Sequence, residues 1–399
     1  MEGSLKPSVE FFSRRKPGFG VLPPLSLYIH LPWCEKKCPY CDFNSHAVME
    51  SLPEKRYIAA LLADLEQALP QIWGRTVQSV FIGGGTPSLF SAESLDLLLS
   101  GIRARVRLND FAEVTLEANP GSVESDKFRE FRSIGINRLS IGIQSFDGAH
   151  LECLGRIHNG PQALNAAAVA AAVFENFNLD FMFALPQQTQ DQVLYDLTTA
   201  IGFSPPHLSF YQLTLEPNTM FYRHPPVLPD DDASFDMEQL IWSKTADSGY
   251  DHYETSAYAK PGFGCRHNLN YWMYGDYLGL GAGAHSKLSF TEEIVREVRL
   301  KHPQAYMDQM EKAGSALSSK QPVQANDVVF EFMMNALRLT EGFKKALFSE
   351  RTGLPFSCVT HKLDEAEERG WLNCEVDHVY PTAQGRLFLN DLLQLFLPA

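Results

Sequence analysis

The stretch HLPWCEKKCPYCDFNSH, residues 30–46, sets Cys34, Cys38 and Cys41 within eight positions in C-x-x-x-C-x-x-C spacing. Thiolates so close together suit soft-metal chemistry. With His46 they make up a Cys₃His set of the kind that closes a structural zinc site. Cys38 and Cys41 alone read as a redox C-x-x-C pair, which leaves Cys34 unexplained. On a cubane cluster the three would leave one iron without a protein ligand, since such clusters usually take four thiolates. That bare iron would be a place for a substrate. Zinc ribbons usually bring their ligands as two separated pairs, and the other cysteines (Cys153, Cys265, Cys358 and Cys374) form no second pair. The spacing favours the cluster over zinc.

Further polar residues stand where strands end. Gly83-Gly84-Gly85-Thr86-Pro87 lets backbone N–H and C=O groups approach a ligand closely, and the chain has no G-x-x-x-x-G-K-[ST] nucleotide loop. Glu117 precedes Asn119-Pro120, Gln144 closes the next apolar run, Arg156 follows in LGRIH, and Asp180 lies within NLDFMFALP. Each alone reads as a satisfied polar residue at a strand end; together they ring one mouth. Later, His267-Asn268-Leu269-Asn270-Tyr271-Trp272 sets an imidazole among aromatics, where a histidine more often ends as a hydrogen-bonded core residue than as a ligand. Cys265, two residues earlier, is either a rival thiolate ligand or a small buried hydrophobe.

The elements that position these residues alternate. SLYIHLP (26–32), SVFIGGGTP (79–87), EVTLEANP (113–120), RLSIGIQS (138–145), NLDFMFALP (178–186) and HLSFYQLTL (207–215) read as strands closed by Gly, Pro or a polar residue. Helix-period segments lie between them, one opened by a Ser91 N-cap and another ended by Gly135. Six such units predict an α/β fold with a parallel sheet, either a partial (β/α)₆ barrel or a doubly wound open sheet. In both, chemistry collects at the C-terminal ends of the strands. The expected organisation is a flexible arm over 1–24, the barrel over 25–225, and a connector carrying the HNLNYW segment over 226–319. A winged-helix-like α+β domain over 320–399 follows, with a hairpin at VDHVYPTAQG.

Composition narrows the function classes. The 399-residue chain is 45% hydrophobic and 21% charged, and its formal charge of −14 argues against broad binding to nucleic acid or anionic lipid. Residues 326–399 carry 7 Lys+Arg against 11 Asp+Glu, so the winged-helix-like part reads as a packing module rather than a DNA reader. Seven cysteines with a single cluster suit a reducing compartment. No apolar leader region and no bilayer-length apolar tract is present, so a cytoplasmic protein, not an integral membrane one, is expected.

YIHLPWCEKKCPYCDFNS, FIGGGTPS, EANPGS, RLSIGIQSF, LGRIH, NLDFMFALPQQT and RHNLNYWMYGDYLGLGAGAHS resemble the radical S-adenosylmethionine (SAM) superfamily over roughly residues 26–286. Within it the chain resembles the oxygen-independent coproporphyrinogen III oxidase-like group, most closely its haem-chaperone branch. The resemblance implies that Cys34, Cys38 and Cys41 ligate a 4Fe–4S cluster whose fourth iron SAM chelates. It implies that Tyr28, Tyr40, Gly84, Gly85, Thr86, Glu117, Gln144, Arg156 and Asp180 contact SAM. Such a pair supplies one-electron cleavage of a C–S bond, with the protein orienting the cofactor.

Within that group the oxidases continue the motif as C-x-x-x-C-x-x-C-x-C, whereas Phe43 stands at the fourth cysteine here. Ala184 replaces the glycine that precedes Leu-Pro in related sequences, with little consequence expected. HNLNYW matches the H-N-x-x-Y-W pattern of the haem-chaperone branch, which implies haem binding with His267 as axial ligand and Tyr271 and Trp272 facing the macrocycle. The expected function is to bind haem and pass it to an acceptor protein, membrane-bound respiratory enzymes being candidates. No catalytic residue is assigned. The alternative is coproporphyrinogen III dehydrogenation by radical chemistry in porphyrin biosynthesis.

Overall fold

The computed structural model describes residues 16–49 and 51–398, residues 122–125 by backbone alone, so residues 1–15 of the expected arm lie outside the described residues. Six parallel strands form in the order expected: β1 (Leu25–Leu31), β2 (Thr76–Gly84), β3 (Arg107–Ala118), β4 (Arg138–Gln144), β5 (Phe177–Phe183) and β6 (His207–Gln212). Crossover helices α1 (Glu54–Ala68), α2 (Ala92–Arg105), α3 (Ser122–Ser133), α4 (Gly160–Val173) and α5 (Gln190–Gly202) join them. Local chemistry fixes where they start. Ser91 accepts from the Ser94 N–H, and Asn159 with Gln162 and Thr189 with Gln192 close reciprocal capping boxes. Alternation then sorts each strand. In β4, Leu139, Ile141 and Ile143 are buried against helices, while Arg138, Ser140, Gly142 and Gln144 take the inward register.

Six more strands extend the same sheet: β7 (Asp251–Glu254), β8 (Ala257–Ala259), β9 (Asp276–Leu280), β10 (His285–Phe290), β11 (Glu293–Arg299) and β12 (Leu317–Pro322). The order is β12-β11-β10-β9-β1-β2-β3-β4-β5-β6-β8-β7. The chain pattern conceals them because β7 and β8 are four and three residues long and β12 (LSSKQP) is polar and mostly exposed. Helices α6 (Asp231–Asp247), α7 (Arg266–Trp272) and α8 (Pro303–Ala313) are interspersed. Asp276 fastens the closing strands: its buried carboxylate pairs with Arg75 at 2.8 Å and Lys287 at 3.0 Å.

The C-terminal part follows helix–strand–helix–helix–hairpin order, the winged-helix sequence of elements. It comprises α9 (Ala325–Ala336), β13 (Phe343–Lys344), α10 (Lys345–Thr352), α11 (Thr360–Glu368), β14 (Leu372–Cys374) and β15 (His378–Pro381), then α12 (Ala383–Leu387) and α13 (Leu389–Gln394). The hairpin pairs β14 with β15, and Thr382 caps α12 instead of continuing the strand. A second apolar core packs around Phe332, Phe348 and Leu363. Polar contacts seat it on the barrel: Tyr274 donates to Glu331 at 2.6 Å, Arg296 pairs with Glu331 at 2.7 Å, and the Arg338 guanidinium lies 4.4 Å from the Trp272 ring centroid.

Candidate functional site

The cysteine loop leaves the end of β1 and is fastened at both ends. Trp33–Cys34 pairs in parallel with His46–Ala47, the Cys41 N–H donates to Cys38 O at 3.2 Å, and Lys37 Nζ donates to Phe43 O at 3.0 Å. Burial pushes the Cys34 and Cys41 thiols above their ordinary pKa, with hydrogen bonds from Thr86 and Ser45 to Cys34 offsetting part of the rise. Deprotonation of those two thiols is therefore favoured by a bound cation. Among the described residues no three His, Cys, Asp or Glu side chains gather around one point as a single ion requires, and the His46 ring packs edge-on against His302, centroids 5.5 Å apart.

The glycine loop is stitched to the cysteine loop backbone to backbone. Gly85 N–H donates to Leu31 O at 2.9 Å and Thr86 N–H to Trp33 O at 2.7 Å. Gly84 takes φ +120°, which only glycine adopts readily, and donates its N–H to Glu117 Oε2 at 3.0 Å. Burial pushes Glu117 up to about 7; the Gly84 N–H pulls it down and the Asp180 charge adds to the rise. His30 joins the two loops from below. Its Nε2 donates to Asn44 O at 2.9 Å, so its Nδ1 accepts from the Tyr28 hydroxyl at 2.9 Å. Burial keeps that imidazole neutral by lowering its pKa.

Arg156 ties three elements together. Its guanidinium donates to Asn119 Oδ1 at 2.7 Å and to Gly142 O at 2.8 Å, lies 3.8 Å from Cys38 Sγ and hydrogen-bonds Tyr40. Asn119 passes the connection on to Thr86 Oγ1 at 3.0 Å. The sequence reading treats Asn119 only as the residue before a proline and does not include His30. The signal for both was position: one closes the third strand, the other sits on the inward register of the first. Gln144 takes φ +66° at the end of β4. Asp180 accepts from Ser140 Oγ and Asn178 Nδ2, each at 2.8 Å, and burial, the largest influence, still raises its pKa.

Cys34, Cys38, Cys41, Tyr40, Gly84, Gly85, Thr86, Glu117, Gln144 and Arg156 thus gather at the C-terminal ends of the strands, while Tyr28 and Asp180 stand at mid-strand. His267, Tyr271 and Trp272 lie elsewhere, on α7, which closes the opposite end. The His267 N–H donates to Glu113 Oε1 at 3.2 Å, and its Nδ1 is 3.1 Å from Ser79 Oγ. Burial, with Arg138 nearby, pushes His267 down to about 3. Tyr271 stacks on Tyr277 with centroids 4.2 Å apart. Cys265 is buried, its thiol 3.5 Å from Glu113 Oε1, and burial raises it to about 12. That is the environment of an inert thiol.

Between mouth and floor the inward-register side chains Tyr28, Phe81, Glu117, Asp180 and Met182 stay partly accessible, and Tyr211 at the end of β6 is 43% exposed. In a packed barrel such positions fill the interior and are buried; here they keep accessible surface. The residues fit an iron–sulfur cluster with a bound amino-acid-bearing cofactor on three counts. The donor set is three thiols, the Arg156 Nε is buried without a partner, and a Cβ at Gly83 would meet Glu117 Oε2 at 2.9 Å. A cation-coordinating loop, a carboxylate with raised pKa and a fixed guanidinium around one opening can hold and orient a polar, charged ligand.

The radical SAM superfamily profile matches residues 28–199, and the HemN C-terminal domain profile matches residues 323–388. The chain is 50% identical over 378 residues to the haem chaperone HemW of Escherichia coli (strain K12), across 94% of this chain and 99% of that protein. It is 33% identical to the haem chaperone HemW of Bacillus subtilis (strain 168), across 93% and 99%. Among solved structures, the E. coli coproporphyrinogen III oxidase HemN, a radical SAM enzyme, aligns with TM-score 0.79 at 23% identity, across 94% of this chain and 90% of that one, a likeness of fold.

Proposed function

This chain belongs to the HemW family of the radical SAM superfamily, and we propose that it acts as a haem chaperone, binding haem and passing it to an acceptor protein. The observation that carries this reading is the cysteine loop stitched to Gly85 and Thr86, above Glu117 and Arg156, in a chain half identical to a haem chaperone over nearly its whole length. Phe43 sits 61% exposed where the oxidases place a further cysteine, which favours the chaperone over porphyrinogen decarboxylation.

Cys34, Cys38 and Cys41 would hold a 4Fe–4S cluster. Tyr28, Tyr40, Gly84, Gly85, Thr86, Glu117, Gln144, Arg156 and Asp180 would hold SAM against it. When bound, the pair supplies one-electron reduction of a sulfonium. The chain's own contribution is to orient and to shield. Arg156 holds Asn119 and the Gly142 carbonyl in place beside Cys38, and neutral His30 keeps Tyr28 and the cysteine loop in register. Glu117 can accept or release a proton near neutral pH while its second interaction, with the Gly84 N–H, stays fixed.

Haem would enter the barrel past the partly accessible inward side chains. His267 is the axial ligand we propose: its neutral ring spends Nδ1 on Ser79, which leaves Nε2 as the coordinating nitrogen. Tyr271 and Trp272 brace α7 through Tyr277 and Arg338. The proposed acceptor is a membrane-bound respiratory enzyme; among the described residues no helix is long and apolar enough to cross a membrane.

The test is transfer. Anaerobically reconstituted protein loaded with haem should deliver it to a haem-free b-type respiratory acceptor, followed by the Soret band, and should leave coproporphyrinogen III unchanged in the presence of SAM. Robust protoporphyrinogen formation would replace this reading with the dehydrogenase. His267→Ala should shift the Soret band and weaken haem binding; an unchanged band and affinity would remove His267 from the ligand role.

A further inference from the structure

Three cationic side chains are buried among the described residues: Arg138, Lys287 and Arg299. Lys287 pairs with Asp276 at 3.0 Å, and Arg299 with Glu297 at 3.0 Å and Asp64 at 3.3 Å. Arg138 differs. It is 2% exposed, its Nε is buried without a hydrogen-bond partner, and among the described residues no carboxylate lies within ion-pair distance of it. Glu113, an acid whose charge acts on Arg138, spends Oε1 on the His267 N–H and the Cys265 thiol. Glu113 and Asp180 favour the Arg138 cation from beyond contact distance, and a buried guanidinium with no carboxylate touching it leaves its Nε–H for a ligand to satisfy.

The place says what ligand. Arg138 opens β4 on the inward register, beside His267 and below Asp180 and Glu117. Gln144, at the mouth, is six residues further along the strand, about 20 Å at ~3.3 Å per residue. The amino-acid end of SAM, held near the cysteine loop, does not span that depth. The β1 and β2 side of the wall between is aromatic, with Tyr28 and Phe81 stacked at centroids 6.3 Å apart and Phe81 5.0 Å from His267, while β3, β4 and β5 present the polar Glu117, Ser140 and Asp180. A planar guanidinium matches a carboxylate through two parallel N–H···O bonds. We propose that the floor of the barrel is a carboxylate site in which Arg138 receives a propionate of the haem, the apolar macrocycle lying against Tyr28 and Phe81. This rests on the haem-chaperone reading and adds the orientation of the cargo to it: propionates inward, the opposite edge toward the mouth.

The full-length protein tests this with three probes (haem, haem dimethyl ester and SAM) titrated into wild type, Arg138→Gln and Arg138→Lys. Wild type should bind haem about tenfold tighter than the diester, whose carboxylates are masked. Arg138→Gln should bring haem to the level of the diester, Arg138→Lys should restore part of the difference, and SAM affinity should be equal in all three. Without ligand, Arg138→Gln should melt at or above the wild-type temperature. The proposal is overturned by equal affinity of wild type for haem and diester, by full haem affinity in Arg138→Gln, or by a loss confined to SAM. A melting temperature lowered by about 10 °C in that variant would also overturn it, marking the cation as structural. Failure of wild type to bind haem at all would remove the chaperone reading and this inference together; equal binding of haem and diester removes this inference alone.

Discussion

The two ends of the barrel solve opposite problems. At the mouth, polar groups satisfy one another: Arg156, Asn119 and Thr86 form a relay, Glu117 holds the Gly84 N–H, and His30 joins Tyr28 to the cysteine loop. Such a network is preorganised before any cofactor arrives. At the floor, the His267 N–H of the short helix α7 and the Cys265 thiol just before it occupy Glu113 Oε1, and the Arg138 Nε is left without a hydrogen-bond partner. On the proposed reading, the mouth holds the resident cluster and the floor receives the cargo.

The comparison can be broken most forcefully at the thiols. Replacing Cys34, Cys38 and Cys41 together by Ser should abolish iron and inorganic sulfide in anaerobic preparations, with retention of full iron content showing that the mouth holds no cluster. Arg156→Leu comes next. By removing the contact beside Cys38 and the hold on Asn119, it should lower iron occupancy and SAM affinity by about 10–100-fold, with Arg156→Lys recovering only part because an ammonium cannot fork; equilibrium dialysis of SAM reads this directly.

A smaller effect concerns Glu117. Its folded pKa of about 7 lies above the ordinary carboxylate value. Between roughly pH 4.5 and 7 the native state keeps a proton that the unfolded chain has lost, so this group's contribution is full at low pH and disappears as pH rises through 7. Denaturant titrations of the metal-free protein should show wild type losing on the order of 2 kcal/mol relative to Glu117→Gln across that window. Parallel pH profiles for the two would show that the carboxyl is ionised throughout. The smallest expected change sharpens the contrast at the end of β5. Ala184 takes φ +54° and is buried, a left-handed conformation that costs a non-glycine residue about 1 kcal/mol. Ala184→Gly should raise stability by up to about 1 kcal/mol, measured as a higher denaturation midpoint.

The mouth was the legible end. Its residues close apolar runs that end in Gly, Pro or a polar residue, so their positions around the sheet follow from periodicity. The floor was not. α7 carries Arg, His and two Asn in seven residues, with no apolar period and no capping side chain. Its seat under the barrel depends on Ser79 and Glu113, far away in the chain. Arg138 looked like the polar start of RLSIGIQS, because a sequence gives the charge of a residue but not the absence of its partner. The added strands escaped notice for a related reason: β12 is held by pairing with β11 rather than by burying an apolar face.

The packing of Gly85 has a genetic consequence. A methyl group there would stand 2.5 Å from the Trp33 carbonyl oxygen, whereas at Gly101 it would meet only the tip of the Leu62 side chain. A lesion at position 101 can be cured by trimming a neighbour elsewhere in the chain. At position 85 the obstacle is peptide backbone, which no codon removes, so selection for revertants of Gly85→Ala should return the original glycine and no suppressors.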